Sequence, residues 1–276
     1  MTITAAEVER YATHLKEEER APATLEKYLR DIRAFTAWLE GRPVTKELTT
    51  AWKEHLLSRG QAPATVNSKL SAINGLFQFL GLDEYRVKFL KLQRRMFRSS
   101  DKDLTREEYQ RLLHAAQDQQ RLELLLETIC GTGIRVSEVR YITVEAAREG
   151  RTDVSLKGKI RTILLPGKLC RKLLKYAKKQ KTVSGEIFLA KDGKSLTRRQ
   201  IWRDMKGLCV LARVAPSKVF PHNLRHLFAA TFYRATRDIV KLADVLGHSS
   251  IETTRIYLLT TGAEHSRQLD RLGLVS

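Results

Sequence analysis

The sequence predicts a mainly α-helical chain with one small β-sheet, split into a four-helix N-terminal domain and an α+β C-terminal domain. Three observations carry that prediction. Apolar stripes at helical spacing, each with a capping signal, run along most of the chain. One stretch alternates at strand period around a tight Gly turn. A polar, basic segment interrupts the pattern at 91–103. The 276 residues are therefore read as a helical domain at 1–90, a linker at 91–103 and a second domain at 104–276.

In the first domain, Thr4-Ala5-Ala6-Glu7 reads as a capping box, followed by Val8, Tyr11 and Leu15. A second helix, capped by Thr24, carries Tyr28, Ile32, Phe35 and Leu39 on one stripe and closes at Gly41. A third runs near Lys46–Ser58 and stops at Gly60. The pattern then returns: Ala21-Pro22-Ala23-Thr24 recurs as Ala62-Pro63-Ala64-Thr65, and Leu29, Ile32 and Leu39 recur 41 residues later as Leu70, Ile73 and Leu80. Two similar helical hairpins are the expectation; two copies do not make a solenoid. The linker holds four basic residues before Ser99: Lys91, Arg94, Arg95 and Arg98.

The second domain opens on another capping box, Thr105-Arg106-Glu107-Glu108, for a helix through Ala116. Leu122–Cys130 is almost wholly apolar and reads as a buried helix. TDVSLKGKIRTILLP alternates around Lys157-Gly158-Lys159 and predicts a hairpin. Leu169–Lys179 predicts a strongly basic helix, and Thr197-Arg198-Arg199-Gln200 caps another through about Ala212. Helices at Pro221–Thr236 and Asp238–Leu246 follow, then a short one starting at Ser249 or Ser250.

Charge narrows the function classes. Lys and Arg total 50 against 31 acids, a net of +19 and a pI near 10, which calls for a polyanionic partner, most simply nucleic acid. The surplus is uneven: residues 151–206 hold 17 basic and 4 acidic residues, a net of +13. No run of 18 apolar residues argues for a membrane span, and Glu7 and Glu9 precede any apolar run that could serve as a secretory signal. Cys130, Cys170 and Cys209 are odd in number and far apart, which fits neither a disulfide framework nor a zinc site and points to a reducing cytoplasm.

Four local features could carry chemistry: Arg135 in GTGIRVSE, His222 and Arg225 in PHNLRH, His248 and Tyr257 in LGHSSIETTRIY, and Lys157 at the hairpin tip. Taken singly, each has an ordinary reading as a surface Arg, a helix-start His, a packed Tyr or a solvated turn Lys. Together, two Arg, two His, a Lys and a Tyr in a basic helical domain are the parts needed to cleave a phosphodiester without metal. No Asp/Glu cluster with metal-site spacing supports two-metal chemistry.

These motifs, in this order and with the hairpin between the first two, make the chain resemble the tyrosine recombinases, or phage-integrase family, over essentially its whole length. The resemblance implies a core-binding domain at 1–90 and a catalytic domain at 104–276. It implies that Arg135 and Arg225 bind the non-bridging oxygens of the scissile phosphate. It also implies that Lys157 protonates the departing 5′ oxygen, with Lys159 as the competitor for that role. His222 would assist proton transfer and His248 would hydrogen-bond the phosphate. Tyr257 would be the nucleophile, forming a 3′-phosphotyrosyl link. A free phenol titrates near 10, so about one in a thousand is ionised at neutral pH, and nearby positive charge and a general base must offset about 4 kcal/mol.

Lys159, Arg161, Arg198, Arg199 and Gln200 are the implied DNA contacts, the last three at the start of a major-groove helix. The implied partner is double-stranded DNA with inverted-repeat core sites, held by a homotetramer on two sites, alone or with a second recombinase. No cofactor, metal or membrane is expected, and the tail, Leu258–Ser276, would dock on a neighbouring subunit. The absence of a leading arm-binding domain and Leu258-Leu259 after the nucleophile lean toward integration, excision or resolution for a mobile element. Xer-like dimer resolution is the alternative. From other classes, a non-catalytic architectural DNA binder and a type IB topoisomerase-like enzyme remain as rivals.

Overall fold

The computed structural model describes residues 1–92, 102–156, 159–248, 250–257 and 270–272, without the side chains of Leu156 and Lys159. The chain folds as two compact units, Met1–Arg94 and Arg95–Ser276. Most of the expected linker, the Lys157-Gly158 tip and most of the tail lie outside the described residues.

The first unit is four helices: α1 (Ala5–Glu17), α2 (Pro22–Leu39), α3 (Lys46–Ser58) and α4 (Pro63–Phe79). Thr4 and Glu7 form the expected capping box of α1. The expectation for α2 needs correction: Thr24 does not cap it. Ala21 is the N-cap and makes no side-chain cap bond, while Pro22 opens the helix with a φ preset for it and no N–H to satisfy. Ala62 and Pro63 repeat that start in α4. The 41-residue repeat is therefore physical: α2 and α4 begin alike and pack together, with Lys27 bonding Ser68, its neighbour one repeat on. Phe35 is fully buried, 5.8 Å from the Trp52 ring and 6.1 Å from Phe77. Removing such a side chain typically costs about 3–5 kcal/mol.

The second unit is helical with one two-stranded sheet among its described residues. In order come α5 (Arg106–Ala115), α6 (Gln120–Thr132), a 3₁₀ turn (Val136–Tyr141), α7 (Val144–Glu149), β1 (Arg151–Leu156), β2 (Lys159–Leu164) and α8 (Gly167–Lys179). Then come α9 (Arg198–Gly207), α10 (Cys209–Ala212), α11 (Pro221–Thr236), α12 (Ile239–Leu246) and α13 (Ile251–Arg255). The capping boxes at Thr105 and Thr197 both form. The helix expected to run from Thr197 to Ala212 breaks at Leu208 into α9 and α10. α6 lies at the centre of the core, with Leu125, Leu126 and Ile129 at 1% exposure or less. In the antiparallel hairpin Val154 faces Arg161 and Thr152 faces Ile163. Cross-strand partners share a face, so Arg161 lies on the buried side with Val154 and Ile163. No helix among the described residues is long and apolar enough to cross a membrane.

Candidate active site

Two helix ends build the floor of the site. α6 closes on Gly133 at φ +65° and α12 closes on Gly247 at φ +62°, a left-handed cap that a Cβ would strain. Space forbids a side chain as well. A Cβ on Gly133 would sit 2.4 Å from a ring carbon of Phe228, and one on Gly247 would sit 2.2 Å from Arg161 Cδ. Each cap leaves carbonyls unpaired by its helix, and arginines take them. Arg225, on the first turns of α11 and 3% exposed, donates through Nη1 to Gly133 O and through Nη2 to Leu246 O at 2.7 Å. Arg135 donates through Nη2 to Gly247 O at 3.4 Å.

A carboxylate orients the second fork. Glu138, 1% exposed, accepts the Arg135 backbone N–H at 2.7 Å and Arg135 Nη1 at 3.0 Å. Its Oε2 also accepts Arg161 Nη2 at 2.5 Å. Two guanidiniums share this carboxylate, and with Arg225 near both of them the cluster keeps a net positive charge facing the cleft. Burial, then the nearby Arg135 charge, pulls the Arg225 pKa down to about 10, while the Tyr257 hydroxyl beside it pulls back up. Arg225 stays cationic at neutral pH.

His248 follows Gly247 and touches the same cluster. Arg225 Nη2 lies 3.0 Å from His248 Nε2, and Nδ1 lies 2.9 Å from Thr254 Oγ1. A guanidinium only donates, so Nε2 accepts and the ring proton sits on Nδ1. Burial, reinforced by Arg225, Arg135, Arg161 and His222, lowers the His248 pKa to about 4. In this arrangement His248 steadies Arg225; the expected bond to a phosphate needs a proton on Nε2.

Tyr257 ends the short run after α13 and is 5% exposed. Its ring stacks on His248 at 5.7 Å and 8°, with His222 at 5.8 Å and His226 at 5.2 Å. Ala229, Leu242 and Leu246 hold it in a small apolar cluster. Tyr257, His248 and His222 line a cleft of about 840 Å³ with Arg135 and Arg225, and it also takes in Arg198, Arg199 and Trp202 from the start of α9.

Of the expected site residues, Arg135, His222, Arg225, His248 and Tyr257 come together in this one cleft. Lys157 and the Lys159 side chain lie outside the described residues. Arg198 and Arg199 line the cleft, while Gln200 Oε1 is taken by Thr197 in the helix cap. Arg161, expected to contact DNA, is 12% exposed and bonds Glu138 and Val245 O. Sequence reading missed Glu138, Thr254 and Trp202. The Glu three residues after Arg135 was visible as a cap signal, and the parity of Arg161 with buried Ile163 marked its inner face. Among the described residues no group of His, Cys, Asp and Glu comes together that could hold a metal.

A family model described as Phage integrase family matches residues 102–263, and one described as Phage integrase, N-terminal SAM-like domain matches residues 8–84. The tyrosine recombinase XerA of Pyrococcus furiosus is 28% identical, covering 99% of this chain and 96% of that protein. XerA of Thermococcus kodakarensis is 30% identical, covering 95% and 93%. Among solved structures, a lambda integrase tetramer bound to a Holliday junction superposes with a TM-score of 0.72 at 19% identity, over 91% of this chain and 76% of that one.

Proposed function

The chain belongs to the phage integrase family, and on that premise we propose that it is a site-specific DNA recombinase that cuts and rejoins strands through a 3′-phosphotyrosyl link. The observation that carries this reading is the convergence of Arg135, Arg225, His222, His248 and Tyr257 on one positively charged cleft. A phosphodiester seated there meets two guanidinium forks whose geometry suits its non-bridging oxygens. Both forks are held by carbonyls or a carboxylate before substrate arrives, so little reorganisation remains at the moment of reaction.

The Tyr257 oxygen attacks phosphorus as the bond to the 5′ oxygen breaks. The phenolic proton leaves toward His222, and Lys157, or Lys159 beside it on the turn, protonates the departing oxygen. The phosphotyrosyl bond conserves the energy of the broken strand. Attack by a 5′ hydroxyl reverses the steps and reseals DNA, so the cycle needs no cofactor. Residues 1–90 act as the core-binding domain and 104–276 as the catalytic domain, with Arg198 and Arg199 contacting DNA beside the cleft.

The partner is double-stranded DNA with inverted-repeat core sites, engaged in the cytoplasm by four protomers on two sites, alone or with a second recombinase; the tetrameric lambda integrase neighbour supports that stoichiometry. The task is integration, excision or resolution for a mobile element. The XerA relatives favour a second reading, resolution of chromosome or plasmid dimers.

Covalent trapping tests the proposal. Protein is mixed with nicked duplexes from the genome that encodes it, denatured with SDS, and the attached DNA is sequenced. The nick lets the fragment beyond the cut diffuse away, so religation fails and adduct accumulates. Wild type should retain DNA with a palindromic consensus and Tyr257→Phe should retain none. Attachment without sequence preference would favour a relaxing topoisomerase instead. Salt-sensitive binding with no adduct from wild type would favour an architectural binder.

A further inference from the structure

Arg161 sits where three parts of the site meet. It lies on β2, two residues after Lys159. Its Nη2 donates to Glu138 Oε2 at 2.5 Å, the carboxylate that also holds Arg135. Its Nη1 donates to Val245 O at 3.0 Å, in the last turn of α12 just before His248. Its aliphatic stem lies so close across Gly247 that no side chain fits there. The residue is 12% exposed, and its Nε is buried with no hydrogen-bond partner. An arginine kept only for stability would be expected to satisfy that donor.

We propose that Arg161 is a positioning residue for strand cleavage: by bridging Glu138 and the Val245 carbonyl, it fixes the lysine-bearing hairpin, Arg135 and His248 in one register without itself binding DNA. The inference rests on the recombinase reading. It needs a planar fork with two donors in fixed directions; lysine is a point donor that reaches one acceptor or the other. Errors of about 1 Å at a reacting centre cost on the order of 100-fold in rate.

Wild type, Arg161→Lys and Arg161→Met are compared as full chains in two measurements. The first follows single-turnover adduct formation at saturating protein on the nicked duplex that wild type traps, alongside affinity and its salt dependence. Affinity should hold within about twofold. The rate constant should fall roughly tenfold in Arg161→Lys and about 100-fold in Arg161→Met, with thermal melting of the Lys variant unchanged. A wild-type rate in both variants overturns the proposal. So does a loss confined to affinity with a salt slope reduced by about 0.9, which marks a direct phosphate contact. A rate loss matched by collapse of the Lys variant's melting transition also overturns it.

The second measurement needs no DNA: NMR titration of the His248 ring, which faces Arg225, Arg135, Arg161, His222, Thr254 and Tyr257. The midpoint should rise in Arg161→Met and hold in Arg161→Lys; an unmoved midpoint in Arg161→Met overturns the placement. If wild type traps no duplex, the recombinase reading fails and this titration still judges Arg161.

Discussion

Both units bury a carboxylate, and they answer it differently. Asp31 in α2 is 3% exposed and meets Lys27 Nζ at 3.3 Å and Arg30 Nη2 at 3.3 Å, both from its own helix and both reaching toward solvent. Glu138 is 1% exposed and meets Arg135 from its own turn and Arg161 from β2, with buried Arg225 close by. In the first case both cations are local, from the same helix, and exposed to solvent. In the second they are guanidiniums from separate elements, fixed by hydrogen bonds, with a third, the buried Arg225, beside them. A locally answered charge is a feature of one helix. A surplus of positive charge assembled from distant segments is a receptor for an anion, and it is built at a cost to folding stability.

The largest expected effect tests what that receptor serves. Tyr257→Phe should abolish covalent adduct, a loss of at least about 1,000-fold, while its ring keeps the stack on His248. Next, Glu138→Gln leaves two part-buried guanidiniums without their anion. Breaking such a pair costs on the order of 3–5 kcal/mol, read by urea unfolding, with cleavage lost as Arg135 loosens.

A smaller effect comes from His248. Folded, it protonates near pH 4; unfolded, near its ordinary 6.5. Between those values the unfolded chain binds a proton that the folded chain refuses, so stability falls as pH drops through that window. The loss is about 1–2 kcal/mol after allowing for solvent at a partly exposed ring. Urea midpoints across pH 4–7 for wild type and His248→Phe measure it, and the variant should lose that share of the slope.

The smallest effect belongs to the other region. Asp31→Asn should change stability by about 1 kcal/mol or less, because both partner side chains are exposed by 38% and 71%. Adduct formation should be unchanged; a cleavage defect there would erase the contrast between the two carboxylates.

Much of the fold was legible because its signals are local. Pro221 and Thr236 bound α11 as read, and the capping boxes at Thr4, Thr105 and Thr197 all form. The second helix start was misread because a threonine three residues into a turn looks like a cap, while Pro22 had already set the helix. The residues converging on the cleft were legible from motif order. The support beneath them was not, since the Arg161–Glu138 bond spans 23 residues and two element types. The resemblance gave Arg161 as a DNA contact; its pairing with Val154 and its parity with Ile163, which put it on the buried face of the hairpin, were not read from the sequence. Ile160 and Leu164, apolar yet 76% and 71% exposed, take the outer face by the same parity.

The central claim is that Tyr257 becomes covalently bonded to DNA, and peptide mapping of the trapped adduct tests it most directly. Nuclease and protease digestion followed by mass spectrometry should locate a nucleotide on the peptide containing Tyr257, joined through its phenolic oxygen to a 3′ phosphate. A nucleotide on any other residue, or a 5′-phosphate linkage, would contradict the account.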